Sequence, residues 1–387
     1  MEFIPYSCQN ITRADIEAVN KVLVSEFLTQ GPTIAAFESA FAEAHETAHA
    51  VAVSNATAGL HLALLALDVG PQSRVWTCPN SFVASANAAR YCGAQVDFVD
   101  IDPSSRNMSI GQLQQKLELA KNSRQLPDVL IPVDFSGLSA DLREMRVLGD
   151  QYGFKIVEDA SHAAGASYLG KRTGSRFADI TVFSFHAVKI ITTAEGGMVL
   201  SNDGALAQRV RQLRSHGITR VAAEMKQTSE GPWYYEQVSL GFNYRMTDLQ
   251  AALGLSQLAR LEELLAQRCA LVDRYSSSLA GLPLLLPGQM DDRQSSWHLY
   301  VIEIDGARTG ITRRDVFAHL RRASIGVNVH YIPIHTQPYY RNLGFDWGDF
   351  PASERYYRRA ISIPLFPAMT RAQQDRVVAE LKRALHA

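Results

Sequence analysis

The stretch Ala178-Asp179-Ile180-Thr181-Val182-Phe183-Ser184-Phe185-His186-Ala187-Val188-Lys189 decides how this chain is interpreted. Its first part, 178–185, is apolar and rich in β-branched and aromatic residues, which predicts a buried strand. Two threonines and a glycine pair follow Lys189 and predict a turn into a second strand, 198–201. Lys189 therefore lies at the end of a core strand, where its amine can be desolvated and neutral part of the time. A neutral amine is what Schiff-base chemistry with a carbonyl needs.

A carboxylate upstream separates Lys189 from the many lysines that are only exposed loop residues. The segment 154–157 predicts a short strand, and Asp159 and His162 follow its carboxyl end. Ligands of open α/β sheets bind beyond these strand ends. A lysine and an acid that keeps a pyridine nitrogen protonated are the minimum equipment for pyridoxal 5′-phosphate (PLP). Because an aspartate after a strand is often only a helix cap, the prediction depends on Asp159 and Lys189 together.

A phosphate site is predicted at Ser54-Asn55-Ala56-Thr57-Ala58-Gly59. This turn follows an apolar strand, 50–53, and opens an apolar helix, 60–67. Free N–H groups and the helix dipole both favour an anion at such a position. Ordinary capping by a side chain of this turn is the alternative interpretation when the segment is taken alone.

Composition describes an ordinary soluble globular protein. The chain has 387 residues, 47% of them hydrophobic and 20% charged, and a formal net charge of −1. A charge this close to zero gives no reason to expect a nucleic-acid or anionic-membrane partner. The first ten residues do not resemble a secretory signal, and no apolar run is long enough for a membrane span. The four cysteines are scattered without metal-ligand spacing, which predicts reduced thiols in a cytoplasmic protein.

Strands and helices alternate from about residue 50, which predicts an α/β fold with a mostly parallel sheet flanked by helices. The remaining predicted strands of this sheet are 75–78, 96–99 and 129–133. The predicted helices between them are 84–90, 110–120 and 142–152. Residues 1–246 are therefore assigned to an N-terminal arm and a large α/β domain.

Residues 247–387 are assigned to a linking helix and a smaller C-terminal α+β domain. The sequence Thr247-Asp248-Leu249-Gln250 is a capping box, and leucine spacing predicts one long helix from there to about residue 279. The segments 296–304, 316–321 and 327–331 that follow indicate the smaller α+β domain. A final helix is predicted over 371–385.

Two motif matches point to other chemistries and are not adopted. His45-Glu46-Thr47-Ala48-His49 matches the H-E-x-x-H zinc pattern, which requires both histidines on one helix face. Here a helix ends near His45 and a strand begins at about residue 48, so no metal site is predicted. The glycines and lysine of 165–171 have P-loop spacing, but Arg172 replaces the required Ser or Thr, and a β-hairpin is predicted instead.

The motifs in their order along the chain resemble the DegT/StrS family of PLP-dependent sugar-nucleotide aminotransferases, which have fold type I. The similarity is nearly end to end, and its main segments are 28–32, 54–57, 79–84, 158–162, 183–197 and 241–246. Within the family the chain is most similar to the transaminases of the pseudaminic acid pathway, on the segments 183–197 and 327–335. The resemblance implies transfer of an amino group from glutamate to C4 of a UDP-linked 4-keto-6-deoxy-N-acetylhexosamine of L-altro type.

The resemblance also implies catalytic roles for three residues. Lys189 would bind PLP covalently and move a proton between the substrate carbon and C4′ of the cofactor. Asp159 would bond the pyridine nitrogen, and His162 would lie near the ring hydroxyl. The other implied cofactor contacts are Phe82, stacked on the ring, Ala56, Thr57 and Ser184 at the phosphate, and Asn243 at the phosphate of the other subunit of a homodimer.

The sugar nucleotide would be bound by two segments and the N-terminal arm. The implied contacts are Tyr6, Glu26, Phe27, Leu28, Thr29, Asn328, Val329, His330 and Tyr331. Tyr6 and His330 can also be ordinary packing residues. Glu26 departs from the basic residue that some relatives have beside the diphosphate, which implies that only its backbone contributes or that the nucleotide lies differently.

Two other functions remain open on the sequence alone, and Lys189 argues against a third. Another nucleotide-ketosugar aminotransferase, of perosamine type, would use the same cofactor residues. A sugar dehydratase of the family would carry His at the position of Lys189. A regulatory PLP-binding protein would need a DNA-binding segment or a basic stripe, and the sequence shows neither.

Overall fold

The computed structural model describes residues 2–385. Its strands, in chain order, are β1 His49–Val53, β2 Arg74–Thr77, β3 Gln95–Phe98, β4 Val129–Ile131, β5 Lys155–Asp159, β6 Ser167–Tyr168, β7 Lys171–Arg172, β8 Ile180–Ser184, β9 Gly197–Ser201, β10 Ile218–Thr219, β11 Glu236–Gln237, β12 Leu284–Leu285, β13 Arg293–Gln294, β14 Tyr300–Ile304 and β15 Ala360–Ile363. Its helices are α1 Arg13–Leu23, α2 Pro32–Ala44, α3 Ala56–Ala66, α4 Ala84–Tyr91, α5 Ile110–Ser123, α6 Leu142–Tyr152, α7 Gly204–Arg214, α8 Asp248–Leu258, α9 Leu261–Leu279, α10 Gly306–Thr309, α11 Arg313–Arg322, α12 Pro338–Arg341, α13 Pro351–Arg359 and α14 Arg371–Ala384. None of the helices in 2–385 is long and apolar enough to cross a membrane.

A seven-stranded sheet forms the centre of the fold, in the order β1-β9-β8-β5-β4-β2-β3. Neighbouring strands from β8 to β3 run parallel, so the predicted mostly parallel sheet is confirmed. Only β9 runs antiparallel to its neighbours β1 and β8. The segment between β8 and β9 contains no crossover helix, and a parallel return would require one. This short return leaves Lys189 in a tight loop beside the sheet.

Helix α3 lies unusually close to the sheet. A Cβ added to Gly59 would lie 2.9 Å from the Cγ1 of Val182 in β8 and 3.2 Å from the Cγ2 of Val199 in β9. Glycine is therefore needed at this position because the backbone of the helix approaches the strands. The close packing brings the N-terminus of α3 to the ends of the same strands that flank Lys189.

The C-terminal part of the chain forms its own antiparallel sheet, in the order β12-β14-β15. Apolar residues of α9, α11 and α14 form a buried cluster with this sheet. The short strand β13 pairs instead with β6 of the hairpin that follows β5. The assignment of two domains that divide after residue 246 stays a prediction.

The single long helix predicted from residue 248 to about 279 is wrong. The Thr247 capping box is present, with the Gln250 amide 3.2 Å from the threonine hydroxyl. The helix is nevertheless interrupted after Leu258 and restarts at Leu261. At the interruption, Arg260 donates to the carbonyl of Asn10 at 3.1 Å and to Asp15 at 3.0 Å. Leucine periodicity continues across the interruption and could not reveal it.

Two C-terminal segments are less regular than the sequence predicts. Of 296–304, only β14 is a strand, because Ser296 binds the backbone of Gly137 at 3.0 Å and that of His162 at 2.7 Å. The segment 327–331 forms a single bridge, between Asn328 and Ser362, and no strand. Both irregular segments lie beside the predicted site.

The two rejected motifs have the local structures that the sequence predicts. His45 caps the end of α2, where its Nε2 accepts a hydrogen bond from the amide of Gly165 at 3.3 Å, and His49 begins β1. Burial lowers the pKa of His45 to about 4. Residues 167–172 form the β6–β7 hairpin. Among the residues that the structure describes, no cluster of three or more His, Cys, Asp or Glu side chains could hold a metal ion.

Candidate active site

Lys189 lies in a loop that the protein holds closely against strand β8. Its amide donates to the carbonyl of His186 at 2.9 Å, and the next two residues, Ile190 and Ile191, are buried. Thr192 and Thr193 both bond the carbonyl of Phe185, at 3.1 and 2.9 Å. Burial lowers the pKa of Lys189 to about 8, although the charge of Asp159 opposes the shift. The amine is therefore neutral far more often near neutral pH than that of an ordinary lysine.

Asp159 ends strand β5 and is 4% exposed. One carboxylate oxygen accepts a hydrogen bond from the hydroxyl of Ser85 at 2.6 Å. The other accepts from the hydroxyl and amide of Ser161, at 2.5 and 3.2 Å. Among the described residues, no cation forms an ion pair with it. The lone pairs that remain on this carboxylate can accept a hydrogen bond from a protonated ring nitrogen.

His162 is a neutral imidazole with a defined tautomer. Burial, reinforced by the nearby Lys189 and His330, holds its pKa well below the usual value. The backbone N–H of Ser136 lies 3.2 Å from Nδ1, which must therefore be the unprotonated nitrogen. Nε2 then carries the proton, and it lies 3.0 Å from the hydroxyl of Tyr331. The ring is consequently a fixed hydrogen-bond donor rather than a cation.

The predicted phosphate site brings a helix N-terminus and a hydroxyl together. Asn55 caps α3 by accepting from the amide of Ala58 at 2.9 Å, whereas the amides of Ala56 and Thr57 have no acceptor within residues 2–385. Ser184 is opposite Gly197 in the sheet, and a Cβ at Gly197 would lie 2.9 Å from the nitrogen of Ala56. The serine hydroxyl and the two free amides therefore lie close to Gly197 and form one set of donors for a phosphate.

Phe82 presents an aromatic ring that the protein does not cover. The residue is 58% exposed, although the two residues before it, Asn80 and Ser81, are buried. Its ring centre is 6.3 Å from that of Tyr331. A large apolar ring left open beside a polar site is suited to stack on a planar ligand.

The N-terminal arm reaches the same region. Ile4 pairs with Ile325, and the carbonyl of Tyr6 accepts from the amide of Leu365 at 3.0 Å. The hydroxyl of Ser7 donates to the carbonyl of Val188, next to Lys189, at 3.3 Å. The arm therefore connects the C-terminal part of the chain with the lysine loop.

Part of the predicted substrate set is assembled around Tyr6. Its ring centre lies 5.8 Å from that of His330, and burial raises its pKa against a hydrogen bond from Asn328. His330 binds the hydroxyl of Ser362 through Nδ1 at 2.7 Å, and burial lowers its pKa to about 3. Asn328 is exposed, whereas Val329 and Tyr331 are half-buried.

The rest of the predicted substrate set lies apart in the described chain. The segment from Glu26 to Thr29 is exposed and pairs with the start of α8, through a bridge between Thr29 and Thr247. The carbonyl of Leu28 accepts from the amide of Asp248 at 3.0 Å. No hydrogen bond within residues 2–385 joins this segment to Tyr6 or to 328–331. Asn243 is likewise exposed, and a backbone bridge joins it to Ser215.

Three residues of the site were missed from the sequence. Ser85 binds Asp159, Ser136 binds His162, and His298 packs against His162 with the two ring centres 4.4 Å apart and the rings tilted by 41°. Ser85 is one helical turn after Phe82, and this spacing could have indicated that it lies near the site. Ser136 and His298 come from distant parts of the chain, and nothing in their local sequence indicates the contact.

Comparisons with known proteins identify the family of the chain. The model of the DegT/DnrJ/EryC1/StrS aminotransferase family matches residues 9–382. The spore coat polysaccharide biosynthesis protein SpsC of Bacillus subtilis is 38% identical over 383 residues, which are 98% of this chain and 96% of that protein.

Solved structures of similar proteins superpose over nearly the whole chain. The PLP form of the putative sugar aminotransferase Spr1654 from Streptococcus pneumoniae is 30% identical, with a TM-score of 0.88 over 100% of this chain and 99% of that one. Helicobacter pylori PseC, an aminotransferase involved in pseudaminic acid biosynthesis, is 29% identical, with a TM-score of 0.90 over 100% of both chains. The predicted fold type and PLP-dependent enzyme class are confirmed. The chain therefore belongs to the DegT/DnrJ/EryC1/StrS aminotransferase family.

Proposed function

We propose that this protein transfers an amino group from glutamate to C4 of a UDP-linked 4-keto-6-deoxy-N-acetylhexosamine of L-altro type. The product would serve pseudaminic acid or related surface-glycan biosynthesis. The observation that carries the reaction type is the pair of Lys189, whose pKa is lowered to about 8, and the buried Asp159. The choice of sugar is supported by the likeness to PseC and by the local similarity at 327–335.

The residues present fit PLP. The free amides of Ala56 and Thr57 and the hydroxyl of Ser184 offer donors for a phosphate, and the open ring of Phe82 offers a stacking surface. Asp159 offers a carboxylate with lone pairs left after its bonds to Ser85 and Ser161. When bound, PLP supplies an electron sink for the carbon that loses a proton.

In the proposed mechanism Lys189 moves the proton. Its neutral form accepts a proton from the carbon that carries the amino group and delivers it at C4′, and the reverse transfer occurs with the second substrate. Asp159 holds the proton on the ring nitrogen. His162 would lie near the ring hydroxyl as a neutral group, because burial holds its pKa well below the usual value, while its Nε2 proton points to Tyr331. Glutamate and the ketosugar would react in turn at this one site.

We further propose a cytoplasmic homodimer in which each site uses Asn243 of the other subunit. The exposure of Asn243 supports this proposal, since its side chain is free to reach a neighbour. Tyr6, 26–29 and 328–331 are proposed to bind the sugar nucleotide. Glu26 would contribute its backbone only, because a carboxylate repels a diphosphate.

The test is an assay of the purified protein with glutamate and a panel of UDP-, GDP- and dTDP-linked 4-ketosugars. NMR and mass spectrometry of the product identify the aminated carbon. If glutamate and the ketosugar react one after the other, initial-rate plots at varied glutamate should give parallel lines. Intersecting lines would contradict this mechanism. Much faster turnover of a GDP-linked ketosugar would replace the proposed substrate by a perosamine-type one. No turnover of any ketosugar would favour a regulatory role.

A further inference from the structure

Two buried carboxyl groups lie behind Asp159 and have no role in the proposed mechanism. Asp134 follows the end of β4, and Glu158 precedes Asp159 in β5. Both are completely buried. Successive side chains of a strand point to opposite faces of the sheet, so Glu158 faces away from the cofactor side that Asp159 serves.

Each of these carboxyls has one oxygen with a fixed donor. An oxygen of Asp134 accepts from the amide of Ala140 at 2.9 Å, and one of Glu158 accepts from the hydroxyl of Thr181 at 2.7 Å. The other oxygens, Oδ2 of Asp134 and Oε1 of Glu158, have no N–H or O–H donor among the described residues. The two carboxyl groups are instead close enough for a hydrogen bond to each other.

Two ionised carboxylates cannot form that bond, because neither would have a hydrogen to donate. Within residues 2–385 neither side chain has an ion-pair partner, and the nearest further charge is that of Asp159, which is also negative. One proton between the two groups satisfies both orphaned oxygens and removes the repulsion. In agreement, burial raises the pKa of Glu158 to about 7 and that of Asp134 above its ordinary value.

The pair is tied directly to the backbone of Asp159. The amide of Asp134 donates to the carbonyl of Asp159 at 3.1 Å, and the amide of Asp159 donates to the carbonyl of Pro132 at 2.9 Å. These bonds extend the β4–β5 ladder past the last regular pair, as a bridge between Val133 and Asp159. The side-chain pair joins the same two strand ends from the other face of the sheet.

We propose that Asp134 and Glu158 share one proton and act as positioning residues, which hold the ends of β4 and β5 together and so fix the carboxylate of Asp159. The shared proton follows from the pair alone, whereas the purpose of the positioning rests on the proposed role of Asp159 at the cofactor ring. The pair therefore carries a single negative charge, and the shared proton links the two carboxyl groups.

Infrared spectroscopy of the apo-protein tests the shared proton. At pH 6 the wild type should show the C=O stretch of a protonated carboxyl, shifted in D2O, which is lost in both Glu158→Gln and Asp134→Asn. In each variant an amide N–H replaces the shared proton and leaves one carboxylate. A wild-type spectrum with no such band, or a band that survives in both variants, would overturn the proposal.

Cofactor binding tests the positioning. The dissociation constant for PLP should rise about tenfold in Glu158→Ala but stay within about twofold of the wild type in Glu158→Gln, because only the amide preserves the hydrogen bond between the strand ends. Both are measured below their melting temperatures, so a purely structural role would lower Tm and leave PLP affinity unchanged. Equal affinity in all three proteins, or an equal loss in both variants, would contradict positioning.

A variant that fails to fold does not remove the test. If Glu158→Ala is insoluble, Asp134→Ala takes its place, with Asp134→Asn as the variant that keeps the hydrogen bond and should retain PLP affinity. Failure of the proposed ketosugar reaction leaves the infrared result unaffected. Conversely, absence of PLP at Lys189 would reject the cofactor site while the protonated carboxyl remained visible.

Discussion

The hydroxyl of Tyr331 lies 3.0 Å from Nε2 of His162, and this contact joins the two ends of the site. His162 lies beyond β5, whereas Tyr331 belongs to the irregular segment that bridges to β15. Since Ser136 holds the other nitrogen of the ring, the histidine is fixed from both sides. A series of hydrogen bonds from Ser136 through His162 to Tyr331 therefore connects the proposed cofactor-binding residues with the proposed sugar-binding residues.

Substitution of Tyr331 by Phe should destabilise the apo-protein by about 1–3 kcal/mol, because the buried N–H of His162 loses its acceptor. The matched control is Tyr339→Phe, whose hydroxyl bonds Arg90 at 3.3 Å on an exposed side chain and should change stability by less than about 0.5 kcal/mol. Urea unfolding of the two variants measures the difference. An equal loss of unfolding free energy in the two variants would show that the contact with His162 does not contribute more to stability than an exposed hydrogen bond.

Capture of PLP by the apo-protein should depend on pH through Lys189. Its pKa of about 8 leaves roughly one tenth of the amine neutral at pH 7 and about one hundredth at pH 6. The rate of adduct formation, followed by absorbance in a stopped-flow instrument, should rise about tenfold over that unit and level off above pH 9. A rate that keeps rising to pH 10 would indicate an unperturbed lysine. Borohydride reduction and peptide mapping should place the label on Lys189.

Replacement of Asp159 by Asn should reduce turnover by about 10²–10⁴-fold, because an amide cannot hold the proton on the ring nitrogen as a carboxylate does. Ser85→Ala is the matched control: it removes the 2.6 Å hydrogen bond to the same carboxylate but keeps the charge. We expect the control to keep most of its turnover and to lose about 1.5–3 kcal/mol of folding stability, the contribution of a hydrogen bond to a charged group. If Asp159→Asn retains most of the turnover, Asp159 is not the partner of the ring.

Mixed dimers test whether Asn243 acts across the subunit interface. Lys189→Ala and Asn243→Ala should each impair both sites of a homodimer. After the two variants are unfolded together and refolded, each heterodimer should regain one intact site, because wild-type Lys189 and wild-type Asn243 then meet across the interface. Activity should reappear in the mixture but in neither variant refolded alone. No recovery, with heterodimers detected by mass spectrometry, would place Asn243 in its own subunit's site.

The charge of Glu26 gives a test of the sugar-nucleotide site. Because Glu26 is proposed to contribute only its backbone, Glu26→Lys should leave KM for the nucleotide sugar within about twofold, whereas a roughly three- to tenfold decrease at low salt would place the side chain near the diphosphate, since a repulsive charge would become attractive. The matched control is Glu43→Lys, an equal charge change at an exposed position of α2. The same decrease in both variants would indicate a long-range effect of net charge. An unchanged KM in both would support contact through the backbone alone.

Much of the fold could be predicted because its signals are local. Strand β8 and the turn at Lys189 each depend on a few neighbouring residues and occur as predicted, whereas α3 begins at Ala56, four residues before the predicted start of its helix. The α6 boundaries also follow from periodicity within one helix. Local patterns therefore fix the strand ends from which Lys189 and Asp159 extend.

The errors arise where distant contacts override a local pattern. Arg260 interrupts the long helix because it binds residues near the start of the chain, and Ser296 leaves the strand pattern because it binds His162 and Gly137. The partners of Asp159 and His162 have the same origin. Ser85 and Ser136 are single serines without a motif, and only the folded chain shows which carboxylate or ring they meet.

The arm at Ile4 to Ser7 has a consequence for biosynthesis. These residues emerge early from the ribosome, yet their partners Ile325 and Leu365 are translated more than three hundred residues later. Contacts of such sequence separation slow folding, because a very long loop must close first. The lysine loop, which Ser7 contacts, therefore remains uncovered on one side throughout most of translation. Cofactor capture should be a late step that follows release of the chain.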